Sequence, residues 1–521
     1  MSLAMSIMLA SMLLVLGTGA SDTPRPSGKA SASGAVAAAE TSEYQGSTVA
    51  ATSPSRLRGS VATPWGADPL EAVGGDGGSA VPALRPCAWG EECLQIIDEF
   101  LARQPKQQGR NTSLVQTYGS APPGGGGPCG ALCDLAPHCM AEDGCRYFVY
   151  DNAVAAIYLT HRGKLPEARA ILDSLRLLLY PQPGSLALLR SAYAEDGGVL
   201  DASIDTGNNA WVGMAFAHYA AASGEACYAI VARDILHSLA EQAGCDDELQ
   251  GFMGRPRHRG YYRNTEHNVD MFALSRMLGE KDLQARAATF VSRMYGISNR
   301  TPEVYATNTV GKVICDTSIQ EGNPIATDAQ VWNLLSQADP DADRKRTSLE
   351  FIFRPAAEGG LLTEDVDIIG DGAHLAGLRF TNNGTGAQWE NTASAVMGIG
   401  FYESVYNSSG RANVSGLLPN MRDALLHQLR EYRSVLSSVR GGNYKAWLQA
   451  YTQGNADPAF PGGSDTGIGW TYLRYPHVSA TAWTGLMLLE ANPFAVPANS
   501  RTLLTAGYQS QPGAAPVAAA R

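Results

Sequence analysis

Positive charge is scarce in this chain. Thirty-nine Lys and Arg stand against 50 Asp and Glu, giving a net charge of −11 over 521 residues. No basic run stands out, which excludes nucleic acid and anionic membrane surfaces as main partners. Charged residues make up only 17% of the chain, while hydrophobic residues reach 45%, enough for a sizeable core. Long apolar runs are missing except over residues 3–20, LAMSIMLASMLLVLGTGA. Nine cysteines are present, but their spacings match no standard zinc pattern, so neither a metal nor another cofactor is expected.

The uncharged stretch at residues 3–20 is short for a membrane span and ends in small residues, so residues 1–20 read as a cleaved signal peptide, with a signal anchor as the competing reading. No stable membrane span is expected after cleavage. Residues 21–85 are rich in Ala, Ser, Gly, Thr and Pro and nearly free of aromatics, the composition of a disordered linker. Residues 494–521 resemble it and are expected to form a flexible tail. Five Asn-x-Ser/Thr sequons, at Asn111, Asn299, Asn383, Asn407 and Asn413, agree with a secreted or lumenal glycoprotein. In an oxidising compartment Cys87, Cys93, Cys129, Cys133, Cys139 and Cys145 would form three local disulfides, while Cys227, Cys245 and Cys315 leave one cysteine over.

Residues 86–493 repeat a unit of an apolar helix, a glycine turn and an amphipathic helix. The apolar segments open at 151, 208, 266, 328, 390 and 481, and the first three end at Gly163, Gly224 and Gly279, which supply a left-handed helix cap. Amphipathic partners follow, as where Leu283, Ala287, Phe290, Val291 and Met294 form one stripe; others lie near 341–353 and 415–438, and residues 91–104 supply the sixth. Helices apolar all round belong inside and striped helices outside. The expected fold is all-α, an (α/α)6 toroid of six inner and six outer helices, with an open solenoid as the structural alternative. Alternation around Asp371-Gly372 predicts a β-hairpin insertion within 361–387, whose acids fit no EF-hand spacing.

If all inner helices run the same way, their first residues surround one end of the axis. These openings are Asp151-Asn152, Asn208-Asn209, Glu266-His267-Asn268, Asp328-Ala329-Gln330, Glu390-Asn391-Thr392 and Ser479-Ala480-Thr481. Capping and the helix dipole explain many of them, but His267 and Gln330 are not needed as caps. With TGNNAW, TEHNVD, TDAQVW, WENTA and TAW at successive openings, residues 87–493 resemble the six-hairpin glycosidase-like superfamily. That resemblance implies a carbohydrate-active enzyme of the inverting hydrolase, polysaccharide lyase or sugar epimerase type, with its site at this end of the ring. It assigns no residue a role.

Chemistry suggests the roles. Glycoside hydrolysis needs a protonated carboxyl and a carboxylate on opposite sides of the bond. Glu266 and Glu390 are the expected pair, with Asp270 orienting and Asp205 or Asp328 as reserve base. An imidazole pair, His267 with His477, would instead serve a lyase or epimerase. A non-catalytic carbohydrate-binding toroid is the third reading. Asn208, Asn209, Asn268 and Gln330 are candidate hydroxyl ligands, and Trp211, Trp389 and Trp483 candidate stacking surfaces. The insertion 439–478, with Tyr444, Trp447, Tyr451, Phe460, Trp470, Tyr472 and Tyr475, is a candidate cleft wall for an oligo- or polysaccharide.

Overall fold

The computed structural model describes residues 90–107, 112–118, 146–256, 261–366, 375–407, 418–439, 463–497 and 504, all within the compact unit Gly77–Arg521. The expected signal peptide, the linker, the aromatics 444–460 and all of the expected local disulfide cysteines except Cys93, which is buried in the first helix, lie outside the described residues.

Twelve helices alternate along the described chain, outer then inner. The outer set is α1 (Glu91–Arg103), α3 (Leu165–Leu179), α5 (Ala226–Ala243), α7 (Lys281–Met294), α9 (Ala342–Ile352) and α11 (Leu418–Tyr432). The inner set is α2 (Val149–His161), α4 (Thr206–Ser223), α6 (Thr265–Leu278), α8 (Thr327–Ser336), α10 (Trp389–Asn407) and α12 (Val478–Leu488). Burial follows the two sequence patterns. All ten residues of α8 are buried, whereas α7 buries only Ala287, Phe290, Val291 and Met294, with Leu283 at its margin. The turns from the first three inner helices to their outer partners are short, and Gly163, Gly224 and Gly279 take positive φ near 77° there. The returns from outer to inner helices are long and gather at the opposite end.

The inner helices close on themselves. Helix α2 packs on α4, α4 on α6, α6 on α8, α8 on α10, α10 on α12, and α12 back on α2. The fold is an (α/α)6 toroid, and the open solenoid is excluded.

A repeated hydrogen-bond stitch explains the closure. The fourth residue of every inner helix, Asn152, Asn209, Asn268, Gln330, Thr392 or Thr481, accepts an N–H from the return loop just before that helix. The donors are Val115, Leu189, Phe252, Tyr305, Leu378 and Val435. Five of the six side chains also donate to the carbonyl of that same loop residue, while Thr392 bonds Gln388 instead. Two residues further along each loop, a carbonyl accepts the first N–H of the neighbouring inner helix. These bonds run Val149 to Ser191, Thr206 to Gly254, Thr265 to Thr307, Thr327 to Phe380, Trp389 to Ser437, and Val478 back to Thr117. Each loop is thus tied to two inner helices, and the sixth tie returns to the first loop.

The other end of the axis is filled. Trp211, Trp332 and Trp483 meet inside the ring with centroids 5.3–5.8 Å apart. Phe494, just past the expected domain boundary, packs against all three. Arg276 holds this segment by donating to the Ser336 and Phe494 carbonyls at 2.6 and 2.8 Å. Among small strands, Leu362–Val366 pairs antiparallel with Leu375–Leu378, the expected hairpin, whose Asp371-Gly372 tip lies outside the described residues. Cys245 and Cys315 form a disulfide and Cys227 is an exposed free thiol, which identifies the cysteine left over. No helix among the described residues is long and apolar enough to cross a membrane.

The Asn209 amide bonds the Leu189 N–H and carbonyl and the Asp205 carbonyl, so Asn209→Ala should lower unfolding free energy by about 2–4 kcal/mol, because three backbone groups lose a side-chain partner. Urea denaturation measures it; a loss below about 0.5 kcal/mol would refute the stitch as a stabilising device.

Candidate active site

Aligning the inner helices on the stitch gives each position one level in the ring. The second residues are Tyr150, Gly207, Glu266, Asp328, Glu390 and Ser479, which puts three acids on the adjacent helices α6, α8 and α10. The sixth residues are Val154, Trp211, Asp270, Trp332, Ser394 and Trp483, so Asp270 sits at the level of the tryptophan floor.

Glu390 is 7% exposed and held from both sides. Tyr150 donates its hydroxyl to Oε1 at 2.6 Å, and Ser479 donates to Oε2 at 2.5 Å. The Trp483 indole N–H in turn donates to the Tyr150 oxygen at 3.0 Å. Burial raises the Glu390 pKa, while the Ser479 and Tyr150 bonds work against that rise. Glu266 keeps 22% of its side chain exposed. Burial, then the charges of Asp328, Asp270, Glu390 and Asp205, push its pKa well above the ordinary range. Asp328, 5% exposed, accepts the Ala329 N–H and rises to about 7 through burial, with Glu390 adding to it. Three carboxyls that feel one another cannot all ionise at neutral pH, and Glu390 alone has two hydroxyl donors to stabilise its anion.

Asp270 is fully buried with neither oxygen in a hydrogen bond; the Trp211 N–H faces it outside bonding geometry. Burial, then Asp328, raises its pKa well above normal. Asp205 differs. Burial would raise it, but His267, Ser191 and Arg255 outweigh burial and hold it below the usual range. Arg255 contacts it at 2.8 Å and Ser191 donates at 2.7 Å, so Asp205 is a paired anion rather than a free base. His267 fits beside Gly207 because that residue has no side chain: a Cβ there would lie 2.4 Å from the imidazole Cδ2. Burial lowers the His267 pKa to about 4 and that of His477 to about 3, leaving both neutral.

A cavity of about 550 Å³ opens beside this ring. Glu390, Asp151, Asn208, His477, Trp470 and Tyr472 contribute to its wall; Glu266 and Asp328 do not, though both are felt at the Tyr472 phenol on that wall. Trp470 is 49% exposed, its ring 5.7 Å from Phe380. His477 caps α12 and lies against Tyr118 at 4.9 Å.

Several expected ligands have other work. Asn209, Asn268 and Gln330 spend their amides on the stitch, which leaves nothing for a ligand. Trp211 and Trp483 form the floor, and Trp389 is buried against Gly377, so none is an open stacking face. Tyr150 belongs to the site although the sequence did not single it out, whereas Asp151 and Ser479 stood among the helix openings and Tyr472 in the candidate cleft wall without an assigned role. Alignment on the fourth residue would have found Tyr150 and Ser479, which share a level with Glu266 and Glu390.

No protein-family model matches the chain, and no curated protein matches its sequence. Solved structures of similar fold exist. One is a family 76 glycoside hydrolase from a bovine Bacteroides thetaiotaomicron strain, at 12% identity over 77% of this chain and 76% of that one, with a TM-score of 0.47. A D-mannose isomerase matches at 10% identity, 77% and 96% coverage and a TM-score of 0.49. A sugar epimerase from a ruminal bacterium matches at 11%, 76% and 98%, and 0.45.

The raised pKa of Glu266 has a stability consequence. Above about pH 4.5 the unfolded chain releases this proton while the folded chain keeps it, so stability falls as pH rises toward the folded pKa. Glu266→Gln should therefore raise Tm at pH 8 and change it little at pH 4. Equal shifts at both pH values would refute the perturbed pKa.

Proposed function

We propose that this protein is a carbohydrate-active enzyme that hydrolyses a glycosidic bond, with inversion as the expected outcome. The observation carrying this reading is the difference in environment between two glutamates at the same level of the ring. Glu266 is surrounded by other acids and holds its proton, whereas Glu390 receives two hydroxyl hydrogen bonds that favour its anion. That division is what a general acid and a general base require.

In the proposed reaction Glu266 transfers its proton to the glycosidic oxygen as the bond to the anomeric carbon breaks. Water attacks that carbon and gives its proton to the Glu390 carboxylate. The products are a free reducing sugar and an alcohol, and solvent returns the proton from Glu390 to Glu266. Asp328, on the helix between those of the two glutamates, adds to the rise of the Glu266 pKa, and Trp470 offers an apolar face to a sugar ring. The Cys245–Cys315 disulfide fits a secreted or lumenal site of action.

Proton abstraction by His267 and His477 is weaker chemistry here. Imidazoles with pKa values of about 4 and 3 are poor bases at neutral pH.

Glu266→Gln and Glu390→Gln should each reduce hydrolysis by roughly 10²–10⁴-fold while folding is retained, measured as reducing-sugar release from a glycan panel. Tyr150→Phe should raise the lower pKa of the pH–rate profile, since Glu390 loses a hydrogen bond to its anion. Glutamine variants that release sugar at the wild-type rate would overturn the hydrolase and leave a binding toroid.

A further inference from the structure

We propose that His477 is a positioning residue for Glu390: its Nδ1 receives the Ser479 hydroxyl whenever Glu390 carries a proton, so that one serine serves both protonation states of the carboxyl. The inference deepens the hydrolase reading and rests on it for Glu390 being the base that takes a proton from water. Hydrogen bonds fix the starting arrangement. Tyr150 donates to Glu390 Oε1 at 2.6 Å while its oxygen accepts from the Trp483 indole, so Oε1 is committed as an acceptor. Ser479 Oγ lies 2.5 Å from Glu390 Oε2 and 3.0 Å from His477 Nδ1. The Ala480 N–H points at the same Nδ1 at 3.4 Å, the cap bond of α12. That bond makes Nδ1 the acceptor of the imidazole and leaves its proton on Nε2. Burial keeps the ring neutral.

A serine hydroxyl has one proton to give. With Glu390 ionised, that proton belongs to Oε2, the charged acceptor. A proton arriving at Glu390 settles on Oε2, because Tyr150 already donates to Oε1. Two donors cannot share the short gap to Ser479 Oγ. The serine therefore turns its O–H to His477 Nδ1 and accepts from Glu390, and no group is left unbonded. Without Nδ1 the turned hydroxyl would be buried without an acceptor, at a cost borne by the protonated state alone.

The other groups around Glu390 leave this role to His477. Tyr150 and Asp151 act on it from α2, Glu266 from α6, Asp328 from α8 and Tyr472 from the last return loop. Asp151 is raised to about 8 by burial, with Arg146 acting against the rise, and its Oδ2 makes no hydrogen bond within normal geometry. His477 Nε2 stays 3.8 Å from that oxygen, too far for a hydrogen bond. Tyr118 packs on the imidazole with ring centroids 4.9 Å apart.

The test reads Glu390 directly in the full chain, as the infrared carbonyl stretch of its protonated acid over a pH titration, isolated by subtracting Glu390→Gln. His477→Phe keeps a ring against Tyr118 but has no acceptor, and should lower the Glu390 midpoint by on the order of one pH unit. His477→Asn puts an oxygen where Nδ1 stood and should keep the wild-type midpoint. In a Ser479→Ala background His477→Phe should shift nothing, because the link is already gone. His477→Leu replaces the Phe variant if circular dichroism shows that the latter does not fold. An unchanged midpoint in a folded variant without the acceptor, or an equal fall in His477→Asn, would overturn the proposal. So would a fall produced by Asp151→Leu and not by His477→Phe. Midpoints that shift as expected while no variant, nor the wild type, releases sugar from any glycan would leave the positioning role standing and sink the hydrolase reading instead.

Discussion

The ring depends on one repeated constraint, the tie between each return loop and two inner helices. A loop of ten or more residues has many ways to leave an outer helix, and fixing its backbone costs about 1–2 kcal/mol per residue. An amide side chain that both accepts from and donates to the same loop residue fixes that residue in register with the helix. The carbonyl two residues on then fixes the next helix N-terminus at the same height. Applied six times, the pattern brings six N-termini to one level and leaves little freedom for an open arc. The residues performing it vary among Asn, Gln and Thr, because the geometry needs only a short side chain with both a donor and an acceptor, or a hydroxyl that can serve as either.

Holding six N-termini together sets up an electrostatic contest. Helix dipoles favour anions at this end by roughly 0.3–1 kcal/mol each. Burial opposes ionisation more strongly, and Glu266, Asp270, Asp328, Glu390 and Asp151 all rise rather than fall. The outcome is graded by partners. Asp205, with Arg255 and Ser191, is pulled down; Glu390, with Tyr150 and Ser479, is raised against two opposing bonds; Asp270, with neither oxygen bonded, is pushed well up.

The architecture was legible because its signals are local. Gly163, Gly224 and Gly279 mark helix ends, and the contrast between helices apolar all round and helices with one stripe assigned inside and outside. The acids of the site were legible for the same reason, being polar residues at recurring openings. The division of labour within each opening was not. Asn208 and Asn209 are neighbours of one type, yet Asn208 faces the cavity and Asn209 stitches the loop, a difference of about 100° in helix phase. The partners of Glu390 were equally hidden, since Tyr150 lies 240 residues away and Ser479 lies 89 away.

Sorting by helix position explains how a sixfold scaffold can carry an asymmetric site. The first and fourth positions accept and donate the same loop bonds in every unit, save that Thr392 donates to Gln388 rather than to the loop. The second, third and sixth face the axis or cavity and differ in nearly every unit. At the second, Gly207 provides the space that the His267 ring occupies, and Ser479 and Tyr150 flank a single carboxylate. At the sixth, three tryptophans and Phe494 fill one end, while Trp470 and Tyr472 line the cavity beside the acids. Substitutions at axial positions can therefore change chemistry while the stitch keeps the ring closed, which is why the same positions that carry the acids carry so little of the fold.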